Sequence, residues 1–334
     1  MAERFSRIYR KQEEKVNNWA LISLISFLIP LSILPFFINF LKKHHIGQKI
    51  RQEGPDLHQH KMGTPTMGGS IIIFTLLMVS IPLFKSHSYF IWSLLITISF
   101  GMIGLVDDLI KYFKERSLGL YAWQKIFLQI ALGIILIYSI QKMTDLGTSI
   151  YVPFINGSLD LGQVFMPFVV LVLVSTVNAV NLTDGLDGLV VGLTFIAMIS
   201  FAFIAHNQNV ESISLFSLMV AFSSLGFLIY NFFPAQIFLG DTGSFALGGA
   251  LASIAIFTRT ELFLLIIGGV FVIETLSVIL QVASVKLRKK VLFNMSPLHH
   301  HFEISGWKEP KIVIRFWITG ILFALLGLSS YKFL

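Results

Sequence analysis

Ten apolar runs, most of them close to twenty residues long, follow one another along this 334-residue chain. A helix rises 1.5 Å per residue, and the hydrocarbon core of a bilayer is ~30 Å thick, so about twenty apolar residues cross it once. In hydrocarbon every backbone N–H and C=O must find a partner within the protein, and a continuous helix satisfies them locally. The runs near 19–41, 67–84, 90–107, 122–141, 165–182, 189–205, 212–232, 245–257, 262–285 and 312–331 therefore predict an all-α, polytopic integral membrane helical bundle with about ten transmembrane helices. Their even spacing, without repeats or low-complexity segments, points to a single transmembrane domain over 1–334, with residues 1–18 as a polar N-terminal tail. Loops this short leave no room for a large soluble domain.

Only 13% of residues are charged, about half the share usual in soluble domains. Each charge away from a span end needs a reason. Cysteine is absent, which rules out thiolate catalysis and cysteine-ligated metals. The net charge of +7 suits an anionic substrate but is largely accounted for by topology. Lys and Arg crowd the loops at 42–66, 108–121 and 286–311, whereas Lys85, Lys142 and Arg259 are the basic residues of the opposite loops. Positive-inside asymmetry then places the odd-numbered loops in the cytoplasm. The basic residues of the N-terminal tail run against that assignment.

The odd loops also hold the unusual polar clusters: Lys61 to Gly69, Asp107-Asp108 with Lys111, Asn178 to Gly188, Asn231 to Ser244, and Ser296 to Glu303. Five clusters on one face predict one site built from several helix ends. Asp107 and Asp108 stand where a span ends. A lone Asp there would only mark the interface, but adjacent carboxylates raise each other's pKa unless a cation, such as Lys111 or a metal ion, lies near. Asn181, Asp184 and Asp187 fall at three-residue steps, one face of a helix if the segment is helical, and their oxygens are hard ligands suited to magnesium; the competing reading is a turn. Thr242 and Ser244 read as helix caps, and a helix N-terminus beside Asp241 is an anion site to which a metal could bridge phosphate. Of His299, His300 and His301, one or two can face a pocket, because successive helical residues rotate about 100°. Glu274, mid-span, is an intramembrane carboxylate needing a partner or a cavity. No P-loop, zincin or serine-hydrolase motif is present. Hard-oxygen ligands, basic loops and span-end placement predict phosphoryl transfer with one reactant in the lipid.

The strings Lys61-Met-Gly-Thr-Pro-Thr-Met-Gly-Gly69, Asp107-Asp108-Leu-Ile-Lys111, Asn181-Leu-Thr-Asp184-Gly-Leu-Asp187-Gly188, Gly240-Asp241-Thr-Gly-Ser244 and Pro297-Leu-His299-His300-His301-Phe-Glu303 resemble those of the bacterial phospho-N-acetylmuramoyl-pentapeptide transferases. These belong to the wider polyprenyl-phosphate sugar-1-phosphate transferases. The resemblance spans the chain from about residue 20 to the last run. It implies an inner-membrane enzyme, commonly a homodimer, with its active site facing the cytoplasm. That enzyme moves phospho-MurNAc-pentapeptide from UDP-MurNAc-pentapeptide to undecaprenyl phosphate, giving lipid I and UMP, with Mg2+ as cofactor; no nucleic-acid partner is expected. By the same resemblance Asp241 holds the metal, Asp107, Asp108 and Asp184 are catalytic, and His299, His300 and His301 support the site. Lys61, Gly185, Leu186, Asp187, Asn231 and Phe238 border the uridine pocket, with Phe238 set to stack on uracil. Thr66, Lys111 and Asn181 join the substrate-binding residues. A phosphate monoester has a second pKa of ~6, so the lipid phosphate is already mostly dianionic and direct attack needs no strong base; an aspartyl intermediate is the alternative. A sister transferase for another UDP-sugar, a phosphate-solute transporter and an inactive scaffold are the competing readings.

Overall fold

The computed structural model describes residues 2–47, 61–83, 88–116, 118–155 and 157–331, with side chains from residue 18 onward. Among these, nine helices are long and apolar enough to cross a membrane. They lie on α1 (Ala2–Lys43), α3 (Ser88–Phe113), α4 (Ala122–Met143), α5 (Phe165–Thr183), α6 (Leu189–Asn207), α7 (Glu211–Asn231), α8 (Gly240–Phe257), α10 (Gly269–Arg288) and α12 (Glu309–Ser330). The second apolar run forms α2 (Gly69–Ser80) and a short 3-10 turn to Leu83, which is below spanning length when straight. The protein is thus a multi-pass membrane helical bundle.

Burial sorts the helices. In α8, 89% of the apolar window is enclosed by protein, against 28% in α4, α10 and α12. The cause is composition: α8 reads GDTGSFALGGALASIAIF, and small residues let neighbouring backbones approach closely in an apolar medium. It packs against α3 and α5. The outer helices instead turn large apolar side chains outward, among them Phe127 and Ile135 on α4, Leu276 and Ile279 on α10, and Leu322 and Leu325 on α12. That is the surface lipid requires.

Several boundaries differ from the sequence reading. Residues 2–18 are not a separate tail in backbone terms, since α1 is continuous from Ala2. Helix α3 runs past Asp107 and Asp108 to Phe113, so the pair sits within the helix and not at its end. The ninth run breaks at Gly268, giving the short α9 (Leu264–Ile267) before α10. The histidines form their own helix, α11 (Leu298–Ile304). At the opposite end of the bundle a two-stranded antiparallel hairpin, β1 (Ser149–Tyr151) with β2 (Ser158–Asp160), pairs Ile150 with Leu159.

Alternation of helix direction collects the C-terminal ends of α3, α5 and α7 with the N-terminal ends of α2, α4, α6, α8 and α12. All the sequence clusters come to that one end.

Candidate active site

Three carboxylates and two ammonium groups form the first part of the site. Asp107 and Asp108 lie on α3, and Asp241 lies in the first turn of α8. One oxygen of each falls within 4.8 Å of the other two. Lys111, one turn further along α3, reaches all three: Asp107 Oδ2 at 2.7 Å, Asp241 Oδ2 at 3.1 Å and Asp108 Oδ1 at 3.4 Å. Lys125 comes in from the first turn of α4, 2.7 Å from Asp241 Oδ2 and 3.1 Å from Asp107 Oδ1. Sequence reasoning missed Lys125, because a lysine near the start of a span ordinarily reads as an interfacial anchor.

The N-terminus of α8 is aimed at Asp108. Asp108 Oδ2 accepts from the Thr242 amide at 2.9 Å and the Thr242 hydroxyl at 2.8 Å, and Oδ1 accepts from the Asp241 amide at 3.3 Å. A carboxylate there is stabilised by the amides that open a helix. The approach depends on Gly240, whose φ of +75° is left-handed; a Cβ there would lie 2.8 Å from Asp108 Oδ2 and 3.1 Å from Thr66 Oγ1. Thr66 therefore lies at this edge. Thr242 is occupied with Asp108 and Ser244 with Asn181, rather than serving as side-chain caps. Asn181 donates to Asp241 Oδ1 at 3.1 Å and to Ser244 Oγ at 2.9 Å.

The second part lies beside the first. Lys61 Nζ is 2.6 Å from Asp187 Oδ1 and 2.6 Å from Glu309 Oε1, in a pocket that leaves all three side chains buried. The same Glu309 oxygen accepts the Asp187 amide at 2.6 Å, while Asp187 Oδ2 accepts the Ala235 amide at 2.9 Å. Asn231 accepts the Gly188 amide and donates to the Ile237 carbonyl. Phe238 is partly exposed, with Lys61 Nζ 5.9 Å from its ring centre. Its backbone pairs with Pro65 and Gly68, which binds the 61–69 loop to the 231–239 segment. Glu309 was not foreseen.

Histidines form the third part. His299, fully buried, sits over Glu274 of α10: the His299 amide donates to Glu274 Oε1 at 3.2 Å, and Nδ1 is 3.3 Å from Oε2. Its Nε2 abuts Gly185, where a Cβ would stand only 2.1 Å away. His300 pairs with Glu303 at 2.7 Å, and His301 accepts the Asn294 amide at 3.1 Å. Glu274, mid-span, thus has the His299 amide as a hydrogen-bond donor and the His299 ring beside its other oxygen.

The 184–187 turn joins the three parts. Helix α5 ends at Thr183, and Asp184 takes its C-terminal cap position with non-helical angles. Asn181, Asp184 and Asp187 therefore do not share one helical face: Asn181 serves the acidic cluster, and Asp187 serves Lys61. Burial pushes the Asp184 carboxyl up to about 8, the negative Asp241 and Asp108 push the same way, and Lys111 opposes them. Gly185 meets His299, and Leu186 is buried in the core.

The acidic cluster fits a hard divalent cation. Three carboxylates from two helices, with an amide side chain alongside, are the oxygen set such ions take, and the two lysines leave the cluster with one net negative charge.

Residues 89–259 match the model of the glycosyl transferase family 4. The chain is 49% identical to a phospho-N-acetylmuramoyl-pentapeptide-transferase of Halalkalibacterium halodurans, 47% to that of Bacillus pumilus and 46% to that of Bacillus subtilis. Each match covers 91% of this chain and 95% of the relative. With the aspartates, lysines and histidines gathered at one end of the bundle, and with identity of this extent, the chain belongs to the phospho-N-acetylmuramoyl-pentapeptide-transferase family.

Proposed function

We propose that the chain transfers phospho-MurNAc-pentapeptide from UDP-MurNAc-pentapeptide to undecaprenyl phosphate, giving lipid I and UMP, at this end of the bundle. The observation that carries the reading is the meeting of Asp107, Asp108 and Asp241 with Lys111 and Lys125. Two lysines beside three hard-oxygen ligands suit a diphosphate and a lipid phosphate brought together. Asp107, Asp108 and Asp241 would hold Mg2+, which supplies charge neutralisation to the diphosphate when bound.

An oxygen of the lipid phosphate attacks the β-phosphorus of the donor. The new P–O bond forms as the bond from that phosphorus to the bridging oxygen breaks, and UMP leaves with the electron pair. The nucleophile, a monoester with a second pKa of ~6, is already ionised at neutral pH. The work left to the protein is positioning and charge compensation. Lys111 and Lys125 counter the charge growing on the departing UMP. Asn181 and Thr242 hold Asp241 and Asp108 in place. Lys61, Gly185, Leu186, Asp187, Asn231 and Phe238 border the uridine, with Phe238 as the stacking face. His299 braces the 184–187 turn, and His300 and His301 support the acceptor side.

The basic loops lie at the site end of the bundle, which supports a cytoplasm-facing site in the bacterial inner membrane. One domain over 1–334 and a homodimeric assembly complete the reading, the latter on family grounds.

The test is UMP release by the purified protein with Mg2+ and polyprenyl phosphate. UDP-MurNAc-pentapeptide and UDP-N-acetylglucosamine are compared as donors. Release with the pentapeptide donor alone is expected; release with only the other sugar assigns a different donor, and no release by folded protein refutes the reading.

A further inference from the structure

Helix α10 ends in a corner that the site does not use. Every side chain from Val285 to Leu292 is exposed. Lys286, Arg288, Lys289 and Lys290 supply four cations within five residues, and no acidic residue occurs between Glu274 and Glu303. Between and after the cations stand aliphatic side chains with no protein cover: Leu287 is 84% exposed, Val291 72% and Leu292 53%.

Topology alone accounts for cations in a loop, but not for bare aliphatic residues interleaved with them. Nor does it account for the way the corner is built. Gln281 clamps it from within α10, with Oε1 accepting the Leu292 and Phe293 amides at 2.9 and 3.0 Å and Nε2 donating to the Phe293 carbonyl at 2.9 Å. Ser284 donates to the Lys290 carbonyl at 2.8 Å. The far side is tied to α11, where His301 accepts the Asn294 amide and its ring packs edge-on against Phe293. A braced surface bearing both cations and aliphatics matches the lipid interface, where the aliphatics enter the acyl boundary and the cations meet phosphate.

We propose that residues 285–292 form an interfacial docking corner for acidic phospholipid headgroups of the surrounding bilayer, anchoring the base of α11. Charge complementarity argues for this occupant, since four cations with no acidic residue in the stretch between Glu274 and Glu303 call for anions and the interleaved aliphatics call for a bilayer.

The chain has no cysteine, so Leu287→Cys gives one labelling site for an environment-sensitive fluorophore in the full-length protein. The labelled protein is placed in nanodiscs of phosphatidylcholine alone, with added phosphatidylglycerol, or with added polyprenyl phosphate. The expected result is a blue shift and loss of iodide quenching on adding phosphatidylglycerol. Both responses should disappear in the K286Q/R288Q/K289Q/K290Q variant, whose thermal melt should match that of the parent. Equal quenching in all lipids overturns the proposal, as does a shift with polyprenyl phosphate only, or a phosphatidylglycerol response that survives removal of the four charges.

Discussion

Glu309 Oε1 accepts both the Lys61 ammonium and the Asp187 backbone amide, each at 2.6 Å. One carboxylate oxygen thus ties the start of α12 to the 61–69 loop and the 184–187 turn. Removing a member of a buried charged group costs several kcal/mol, ~3–5 where the remaining charge is left unpaired. Lys61 keeps Asp187, so a smaller effect is expected here. Glu309→Gln should raise KM for the UDP donor about tenfold, equivalent to ~1.4 kcal/mol, with kcat little changed, and Glu309→Ala should raise it further. Steady-state UMP release separates the two parameters; a fall in kcat at constant KM would mean that Glu309 acts on the chemistry instead.

Gly185 is held to glycine by His299. An added Cβ at 2.1 Å from Nε2 has to displace either the imidazole from Glu274 or the turn from its neighbours. Overpacking of this kind costs ~1–3 kcal/mol. Gly185→Ala is expected to lower both the melting temperature and kcat/KM. Combining it with His299→Ala should restore the melting temperature but not the activity; equal melting temperatures for the single variant and the parent would show that the turn yields freely.

Much of this was legible in the sequence. Long apolar runs have one stable use in a bilayer, so the helices and the common face of the motifs followed from length and charge placement. Lys125 and Glu309 were not legible, because each is made important by partners more than a hundred residues away: Lys125 by Asp241, and Glu309 by Lys61 and Asp187. The three-residue spacing of Asn181, Asp184 and Asp187 misled for a local reason, since the helix ends at Thr183 and the remaining two residues turn away.

Direct transfer predicts that no phosphosugar adduct accumulates on the enzyme. All four oxygens of the aspartate pair are engaged. Asp107 Oδ1 faces Lys125 and the Leu120 amide, and Oδ2 faces Lys111. Asp108 Oδ1 faces the Asp241 amide and Lys111, and Oδ2 faces Thr242. Engaged oxygens position well and attack poorly. Enzyme mixed with donor labelled in the sugar, without lipid acceptor, should carry no label through denaturing gel filtration; stoichiometric label on Asp107 or Asp108 would establish the two-step route.

Chelation should abolish UMP release, and Mg2+ should restore it. Lys125→Met leaves the acidic cluster with one ammonium group, Lys111, so it should raise cation affinity while lowering kcat, the latter by ~100-fold if the lysine stabilises charge at the reacting phosphates as such groups do elsewhere. Activity against Mg2+ concentration reads both effects. An unchanged Mg2+ requirement together with an unchanged kcat would remove Lys125 from the site.

Stability should also depend on pH through a carboxylate far from the reaction. Glu261, between α8 and α9 at the end of the bundle opposite the site, is buried, and among the described residues no other residue donates a hydrogen bond to either of its carboxylate oxygens. Burial pushes its pKa up to about 8, and its own backbone amide and the nearby Arg259 offset only part of that. The folded protein therefore keeps a proton that the unfolded chain gives up near 4.5. Below that pH both states are protonated, and the contribution of Glu261 to stability is fully present. As pH rises toward 8 the unfolded state is increasingly favoured, by up to ~1.4 kcal/mol per pH unit for one proton. Glu261→Gln cannot ionise, so its melting temperature should fall less steeply between about pH 5 and pH 9. It should match the parent at the acid end and exceed it at the alkaline end. Parallel melting curves across that range would show that Glu261 finds a proton donor or cation when it ionises.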